Sequence, residues 1–162
     1  MLTSCLKVKN LPVELRNAHF EPKNMPNLVN PFSPFITALT SAHEGHSSVH
    51  GAGGHAIGSI DMHGSTQHLH DEIGRNLGTV DHYTHGSATL HSASGATVGS
   101  AHTVGHTTEV TDSHGAHEAT IHHGPSHDTI EHGRHPTEIV DHVGHSDVYH
   151  DAHGAVQSVH HS

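Results

Sequence analysis

The sequence has little of the material from which a conventional globular core is built. Hydrophobic residues make up 31% of the 162 residues, aromatic residues make up 3%, and tryptophan is absent. Charged residues make up only 14%, which is also unlike the highly charged chains that remain disordered. A thick core is therefore excluded for a chain of this length, and such a skewed composition is typical of a repetitive architecture.

Other absences narrow the class of protein further. A single cysteine, Cys5, excludes a framework of internal disulfide bonds. No hydrophobic run reaches transmembrane length, so no transmembrane segment is expected. The nucleophile-elbow, phosphate-binding-loop and haem-attachment motifs are missing as well. We therefore expect a protein that is not an enzyme, and an extracellular or cell-surface location if it assembles.

The residues that are abundant divide the chain into two parts. All 17 glycines lie from Gly45 onward, and 25 of the 26 histidines lie from His43 onward. All three phenylalanines and five of the seven prolines precede residue 40. The sequence thus predicts a non-repetitive N-terminal arm or cap over residues 1–42 and a repeat array over residues 43–162.

Charge follows the same division. Residues 1–42 carry four basic and two acidic side chains, whereas residues 43–162 carry fourteen acidic side chains and two arginines. Nucleic acid is not expected as a partner at neutral pH, because phosphate binding requires a basic surface. Protonation of every histidine would change the formal net charge from −10 to about +16, so the charge of the array depends strongly on pH.

Glycine recurs at a regular interval along the array. From Gly54 to Gly154 the punctuating glycines are nine to twelve residues apart, and each follows an aliphatic residue and a few polar ones. Glycine permits the positive φ of tight turns, while Thr, Val and Ile suit a pleated strand. A helix is disfavoured because each glycine costs roughly 1 kcal/mol relative to alanine. Clear units are Val49–Gly54, Ile60–Gly64, Leu69–Gly74, Val80–Gly86, Leu90–Gly95, Val110–Gly115, Ile121–Gly124, Ile130–Gly133, Val140–Gly144 and Val148–Gly154.

These units predict an all-β fold of short strands with a glycine turn about every ten residues. Two architectures fit. One is a thin β-solenoid in which two units form a rung and equivalent positions stack about 4.8 Å apart. The other is an antiparallel β-meander or a barrel-like flower of hairpins. Disorder remains a third alternative because the hydrophobic content is low.

One segment resembles a known kind of repeat. Residues 71–81, Asp-Glu-Ile-Gly-Arg-Asn-Leu-Gly-Thr-Val-Asp, are similar to the repeat unit of bacterial β-flower and β-solenoid proteins, with partial echoes at Gly58–Asp61 and at Val98-Gly99. The Gly/His composition is similar to that of metal-cross-linked structural proteins of invertebrate jaws and beaks. Both resemblances imply a repetitive scaffold, and neither implies a particular activity.

The histidines are candidate metal ligands. Imidazole suits divalent Zn, Cu and Ni, and without thiolates only a histidine and carboxylate site can be built. Stacking of the units would align the histidines next to turn glycines into a ladder and bring neighbouring rings within reach of one ion. The predicted metal ligands are His63, His85, His114, His123, His132 and His153 beside these glycines, together with His68, His70, His142 and His145.

The N-terminal arm has a different pattern. Alternating apolar residues between Leu6 and Leu15 predict one or two short strands interrupted by Pro12. The Pro-rich residues 19–36 predict an extended segment, because proline prevents helix and favours extended backbone. Such a segment would cap one end of the array or dock on the next subunit. Its anchors in either case are Phe20, Phe32 and Phe35.

The leading functional hypothesis is a self-assembling structural scaffold, filament-like or coat-like, whose histidine ladder binds divalent transition-metal ions. Assembly into a homo-oligomer or polymer would use the N-terminal arm and open β ends. One alternative is a monomeric metal-buffering or pH-responsive histidine-rich binding protein. A third hypothesis is a trimeric fibre or adhesin tip stapled by metal.

Overall fold

The described chain consists mainly of short strands. The computed structural model describes residues 32–40, 45–133 and 137–161. These residues form one helix, α1 (Ser33–Thr40), a single 3-10 turn at Thr84–Gly86, and twelve strands. The strands are β1 (His46–Gly51), β2 (Ala56–His63), β3 (Thr66–Asp71), β4 (Asn76–His82), β5 (Ser87–Ser92), β6 (Thr97–Val104), β7 (Thr107–Asp112), β8 (His117–His123), β9 (His127–Glu131), β10 (Glu138–Val143), β11 (Ser146–His150) and β12 (Val156–His161).

The twelve strands close into one antiparallel barrel. Each strand pairs with its neighbours in the sequence, and β12 pairs with β1. Connections of two to six residues are too short for the crossovers that parallel strands need. The all-β prediction is therefore confirmed, and the meander closed into a barrel is the architecture found. The predicted solenoid is wrong, since its rungs would have to be parallel.

The turns alternate between the two ends of the barrel because neighbouring strands run in opposite directions. We call the end with the turns after β2, β4, β6, β8 and β10 the upper end, and the end with the turns after the odd-numbered strands the lower end. At the upper end, two-residue turns such as Gly64-Ser65 begin with a glycine at positive φ, here 64°. Since such tight turns occur only at positive φ, glycine is the suitable residue there.

Three of the turns at the lower end are held by aspartate side chains. Asp71, Asp112 and Asp151 each accept hydrogen bonds at Oδ1 from the backbone N–H groups two and four residues later, at 2.8–3.1 Å. Hydrogen bonds from the N–H groups of Ala116 and Ala155 are the main cause that lowers the pKa of Asp112 and Asp151, respectively, below 3.8. The glycine that follows completes the turn, so the ten-residue spacing corresponds to one strand and one turn.

Side chains alternate along each strand between the interior and the surface. In β4, Gly78 and Val80 are buried, and Thr79 between them is partly exposed. Each strand from β2 to β11 thus contributes only one or two buried apolar side chains to the core, as the low hydrophobic content requires. The strands' buried apolar residues are Ile60, Leu69, Val80, Ala88, Leu90, Ala101, Val110, Ala119, Ile121, Ile130, Val140 and Tyr149.

Helix α1 occupies the interior of this barrel. Phe32 and Phe35 are buried, and the hydroxyl of Thr40 lies 2.7 Å from that of Tyr149 on β11. The predicted extended conformation is therefore wrong for residues 33–36. Pro34 is compatible with helix because the first turn needs no N–H donor, and burial of the apolar side chains stabilises the helix. Residues 1–31, which include Phe20 and the predicted strands, lie outside the described residues.

Inward-facing glycines make room for α1. A Cβ atom at Gly78 would lie 2.9 Å from Phe35 Cζ, and one at Gly99 would lie 3.0 Å from Phe32 Cε1. Both are too close for an unperturbed contact, so these strands need a residue without a side chain. Gly78 is the second glycine of the segment 71–81. The close approach of Phe35 explains why this position of the repeat is a glycine. At the same position of β8 the chain has the buried Ala119.

Among the described residues no helix has the length and hydropathy that crossing a membrane would require.

Candidate functional site

The predicted histidine ladder is divided between the two ends of the barrel. His63, His85 and His145 lie at the upper end, whereas His114 and His153 occupy turns at the lower end. A solenoid would stack these rings on one side, but a meander sends successive turns to opposite ends. The turn histidines therefore do not form one continuous ladder.

The turn histidines are exposed and make few contacts. The side chain of His114 is 87% exposed, and its nearest carboxylate oxygen, on Asp112, is 3.6 Å away. The His63 ring lies edge-on to that of His68 on β3, with 5.7 Å between the ring centres. His85 has a φ of 69° in its 3-10 turn. His63, His85 and His114 are therefore exposed to solvent at the ends of the barrel.

The outer face carries a carboxylate between two imidazoles on three adjacent strands. Asp61 on β2 has Oδ1 at 2.5 Å from Nδ1 of His46 on β1 and Oδ2 at 3.4 Å from Nε2 of His70 on β3. His68 is the residue directly opposite Asp61 on β3. We call His46, Asp61 and His70 the first outer triplet.

A second outer triplet lies four strands further around the barrel, with β10 at its centre. Asp141 on β10 has Oδ2 at 3.2 Å from Nε2 of His150 on β11 and stands directly opposite His127 on β9. These three residues, with Ile139 and Gly154, line a shallow groove of about 310 Å³. The arrangement of the first triplet therefore recurs with the same residue types on β9, β10 and β11.

The interior of the upper end contains a chain of polar side chains. Asp128 on β9 accepts hydrogen bonds from Nδ1 of His123 at 2.9 Å and from Nε2 of His142 at 3.2 Å. The other ring nitrogen of His142, Nδ1, donates to Asp147 on β11 at 2.7 Å. A single imidazole thus bridges two carboxylates whose side chains are only 3% and 4% exposed.

This chain continues in both directions around the barrel. On one side Asp147 lies 3.4 Å from Nδ1 of His160 on β12, and Nε2 of His160 lies 2.6 Å from the hydroxyl of Ser47 on β1. On the other side the hydroxyl of Thr108 on β7 lies 2.8 Å from Nε2 of His123. We call these residues the inner belt: Thr108, His123, Asp128, His142, Asp147, His160 and Ser47.

The pKa of His142 reflects opposing effects. Burial lowers it, but hydrogen bonds to Asp147 and Asp128 and the negative charges of both carboxylates outweigh burial. The net result is a pKa above the ordinary value of 6.5. His142 therefore keeps its positive charge to higher pH than an isolated imidazole does.

His82 is the inward histidine of β4, and among the described residues no carboxylate inside the barrel is bonded to it. Its Nε2 lies 2.8 Å from the amide oxygen of Gln67 on β3. Burial lowers the pKa of His82 below 6.5, and the charge of Asp81 offsets this only in part. His82, His123 and Thr108 also line a cavity of about 110 Å³ beneath Leu39 of α1.

His132, the remaining predicted ligand, is buried near the lower end. Its Nε2 lies 3.5 Å from Oε2 of Glu138. Within residues 32–40, 45–133 and 137–161, no three His, Asp or Glu side chains converge on a point that would hold a metal ion. Of the predicted ligands, His70 belongs to an outer triplet, and His123 and His142 belong to the inner belt.

Sequence reasoning missed Asp128, Asp147 and His160. Their inward orientation could have been predicted from the alternation of inward and outward residues along each strand. Asp128 stands two residues before the buried Ile130, and Asp147 stands two residues before Tyr149. Extending the apolar alternation by one position would have assigned both carboxylates to the interior.

Comparison with protein-family models, with curated proteins and with solved structures gives no match for this chain.

Proposed function

We propose that this protein is a monomeric, histidine-rich barrel that binds divalent transition-metal ions reversibly on its outer face and releases them in mild acid. The observation that carries this proposal is the first outer triplet, in which a carboxylate already lies within 2.5–3.4 Å of two imidazole nitrogens on neighbouring strands. Imidazole and carboxylate are ligands that Zn, Cu and Ni accept. The second triplet repeats these residue types around β10, four strands away in the barrel.

Metal binding at a triplet needs only side-chain rotation. The first triplet is on the surface, where His46 is 68% exposed, so its ring can turn toward a bound ion without disturbing the core. Each imidazole must be neutral at the nitrogen that binds the ion, so protons compete with the metal as the solution is acidified. Acidification should therefore release the metal.

Closure of the barrel supports a monomer over a polymer built through sheet edges. The hypothesis of open β ends assumed unpaired terminal strands, whereas β1 and β12 pair with each other through four residues each. Among the described strands no edge is left for another copy to extend. Oligomerisation by other routes stays a prediction.

The test is metal stoichiometry and affinity of untagged protein purified without a metal column. We expect at least one tightly bound Zn, Cu or Ni ion per chain at pH 7.5 and release by pH 5.5. The variant His46→Gln/His70→Gln should lose one tight site. The control His85→Gln/His106→Gln should keep it, because these exposed rings lie in turns between strands and belong to neither triplet. Fewer than one ion per chain, or equal loss in both variants, would exclude the triplet as the site.

A second candidate is a scaffold cross-linked by metal ions between barrels. It is favoured by the exposed turn histidines at both ends, such as His145 above and His114 below. These rings are on opposite ends of one barrel and can share an ion only with another copy. Native mass with and without metal separates the candidates, because a constant monomer mass contradicts the scaffold.

A further inference from the structure

The contact between β1 and β12 differs from the other contacts between neighbouring strands of the barrel. All the other neighbours follow one another along the chain, whereas β1 and β12 come from opposite ends of the array. They are held by the pairing of four residues each, Ser48–Gly51 with Ser158–His161. We call this contact the seam. Joining residues so far apart in the sequence costs chain entropy, so a ligand that bridged the two strands would stabilise the seam.

Two imidazole rings lie close together across the seam. His161 stands directly opposite Ser48, and His50 is two residues further along β1, so the two histidines are diagonal neighbours. Their ring centres are 5.4 Å apart. A tetrahedral metal ion bonded to one nitrogen of each ring at about 2.0–2.1 Å would place the ring centres about 5 Å apart. The pair therefore already has the spacing that a shared ion requires.

A hydrogen bond determines which nitrogen of His50 can bind an ion. Its Nδ1 lies 3.1 Å from the carbonyl oxygen of Gly54. A carbonyl oxygen only accepts hydrogen bonds, so Nδ1 carries the proton and, in the neutral ring, Nε2 carries the lone pair. Metal-ligating histidines are commonly oriented in this way, with the other N–H bonded to a backbone carbonyl. The hydroxyl of Ser48 lies 3.2 Å from Nε2, and an ion bound there would replace it.

The surroundings of His161 also suit a ligand. The hydroxyl of Ser146 on β11 lies 2.8 Å from its Nδ1, so Nε2 is the nitrogen that would bind the ion. His161 is exposed, and the residues directly opposite it on the two neighbouring strands are both serines, Ser48 and Ser146. The ring can therefore turn toward His50 without displacing a bulky neighbour.

We propose that His50 and His161 form a metal site distinct from the outer triplets, in which one divalent transition-metal ion such as Zn²⁺ bridges β1 and β12 and holds the barrel closed. Imidazole is a ligand that such ions accept, and water would complete the coordination. The site does not require that the triplets bind metal. Another ring pair, His63 and His68, is 5.7 Å apart, but its strands are already joined by a turn, so an ion there would not affect closure.

The direct test is ¹⁵N NMR of the imidazole rings while metal-free protein is titrated with Zn²⁺ at pH 7.5. We expect the Nε2 signals of His50 and His161 to shift together. His50→Gln should abolish the shift of His161, and His161→Gln should abolish the shift of His50, because the two rings share the ion. No shift in the wild type, or a shift of either ring that survives loss of the other, would overturn the proposal.

Hydrogen exchange tests the consequence for closure. When free Zn²⁺ is about a hundredfold above the Kd of the seam site, amides of β1 and β12 that exchange by opening of the seam should exchange about a hundredfold more slowly. His50→Gln/His161→Gln should remove this effect. The control His85→Gln/His106→Gln, which also removes two histidines, should retain it. Equal slowing in the two variants would mean that the seam pair is not the site.

The variant His46→Gln/His70→Gln separates this proposal from the proposed function of the triplets. It removes the first triplet, and the Zn²⁺-dependent slowing at the seam should remain. Slowing at the seam with no loss of a tightly bound ion in this variant would contradict the triplet and support the seam site. Loss of a tightly bound ion, with no slowing at the seam of the wild type, would support the triplet and contradict the seam site.

Discussion

The tripeptide Val-Asp-His occurs at residues 80–82 in β4 and again at residues 140–142 in β10. In both strands the valine and histidine face inward and the aspartate faces outward. The two histidines nevertheless differ in their titration, since the pKa of His82 is lowered and that of His142 is raised. The tripeptide and its position along the strand are the same in both cases, so neither explains the difference between the two pKa values.

The cause lies on the neighbouring strands. The inward positions beside His82 are occupied by Gln67 and Ala88, whereas those beside His142 are occupied by aspartates. An amide and a methyl group leave His82 with the effect of burial alone, and two carboxylates reverse that effect for His142. The chemistry of an inward histidine in this barrel is therefore set by residues paired with it across the sheet.

The same contrast extends over the two sides of the barrel. The β2–β6 side has glycines at inward positions and packs against the phenylalanines of α1. The β8–β12 side lacks these glycines and carries the charged part of the inner belt. Both sides bury apolar side chains, and the β8–β12 side in addition has hydrogen bonds between buried aspartates and the histidines beside them.

The largest expected effect comes from removing an α1 side chain. Phe35→Ala should lower the free energy of unfolding by about 3–5 kcal/mol, because it leaves a cavity against Gly78. Hydrogen exchange should rise first on the β2–β6 side. The control Ile73→Ala, at a side chain that is 68% exposed, should change stability by less than about 0.5 kcal/mol. A small effect of Phe35→Ala would contradict the packing of α1 inside the barrel.

A smaller change in stability is expected at Gly78, and its sign is opposite to that of an ordinary glycine-to-alanine substitution in a strand. Replacing a strand glycine with alanine ordinarily stabilises a protein by about 0.5–1 kcal/mol. Gly78→Ala should instead destabilise by about 1–3 kcal/mol, because the methyl group would contact Phe35 and the carbonyl of His91. The reciprocal control, Ala119→Gly on β8, should cost about 1 kcal/mol. Denaturant unfolding measures both, and a stabilising Gly78→Ala would show that the two sides do not differ as described.

The direction of the His82 pKa shift should reverse when His82 is given the neighbouring residues of His142. Gln67→Asp/Ala88→Asp gives His82 the surroundings of His142 and should raise the pKa of His82 above 6.5. In the wild type the His82 contribution to stability is complete above 6.5 and is lost as pH falls through the lowered pKa. In the variant that contribution should be lost as pH rises, on the order of 1 kcal/mol for each unit of pKa change. Ring ¹⁵N shifts of His82 report this directly, and an unchanged titration would contradict the assigned cause.

These residues also show which parts of the fold and of the candidate site could be predicted from the sequence. Glycine spacing predicted the strands and turns correctly, because turn conformation is a local property of the chain. Membership of His142 in a buried polar network was beyond the same reasoning, since it depends on which residues of β9 and β11 stand opposite. That register follows from connections of six residues before β10 and two residues after it, and from closure between β1 and β12. Pro34 was misjudged because its effect depends on whether it begins a helix, which burial inside the barrel decides.

The turns of the lower end have the same hydrogen bonds on both sides of the barrel, and a substitution there should have the smallest effect on stability. Asp71 on one side and Asp112 on the other accept the same pair of backbone N–H groups, whereas the turn between β5 and β6 has Ser92 at this position with the same backbone hydrogen bonds. Ser92→Asp should supply the missing acceptor and raise Tm by about 2 °C. The gain should be present above pH 3.8 and disappear as pH falls through the lowered pKa of the new carboxyl, because protonation removes the charge that the N–H groups stabilise.

Ser94→Asp, two residues away, is the control, since its carboxylate would not occupy the accepting position. Equal changes in Tm for both variants would mean that added charge alone, and not the turn geometry common to both sides, is responsible.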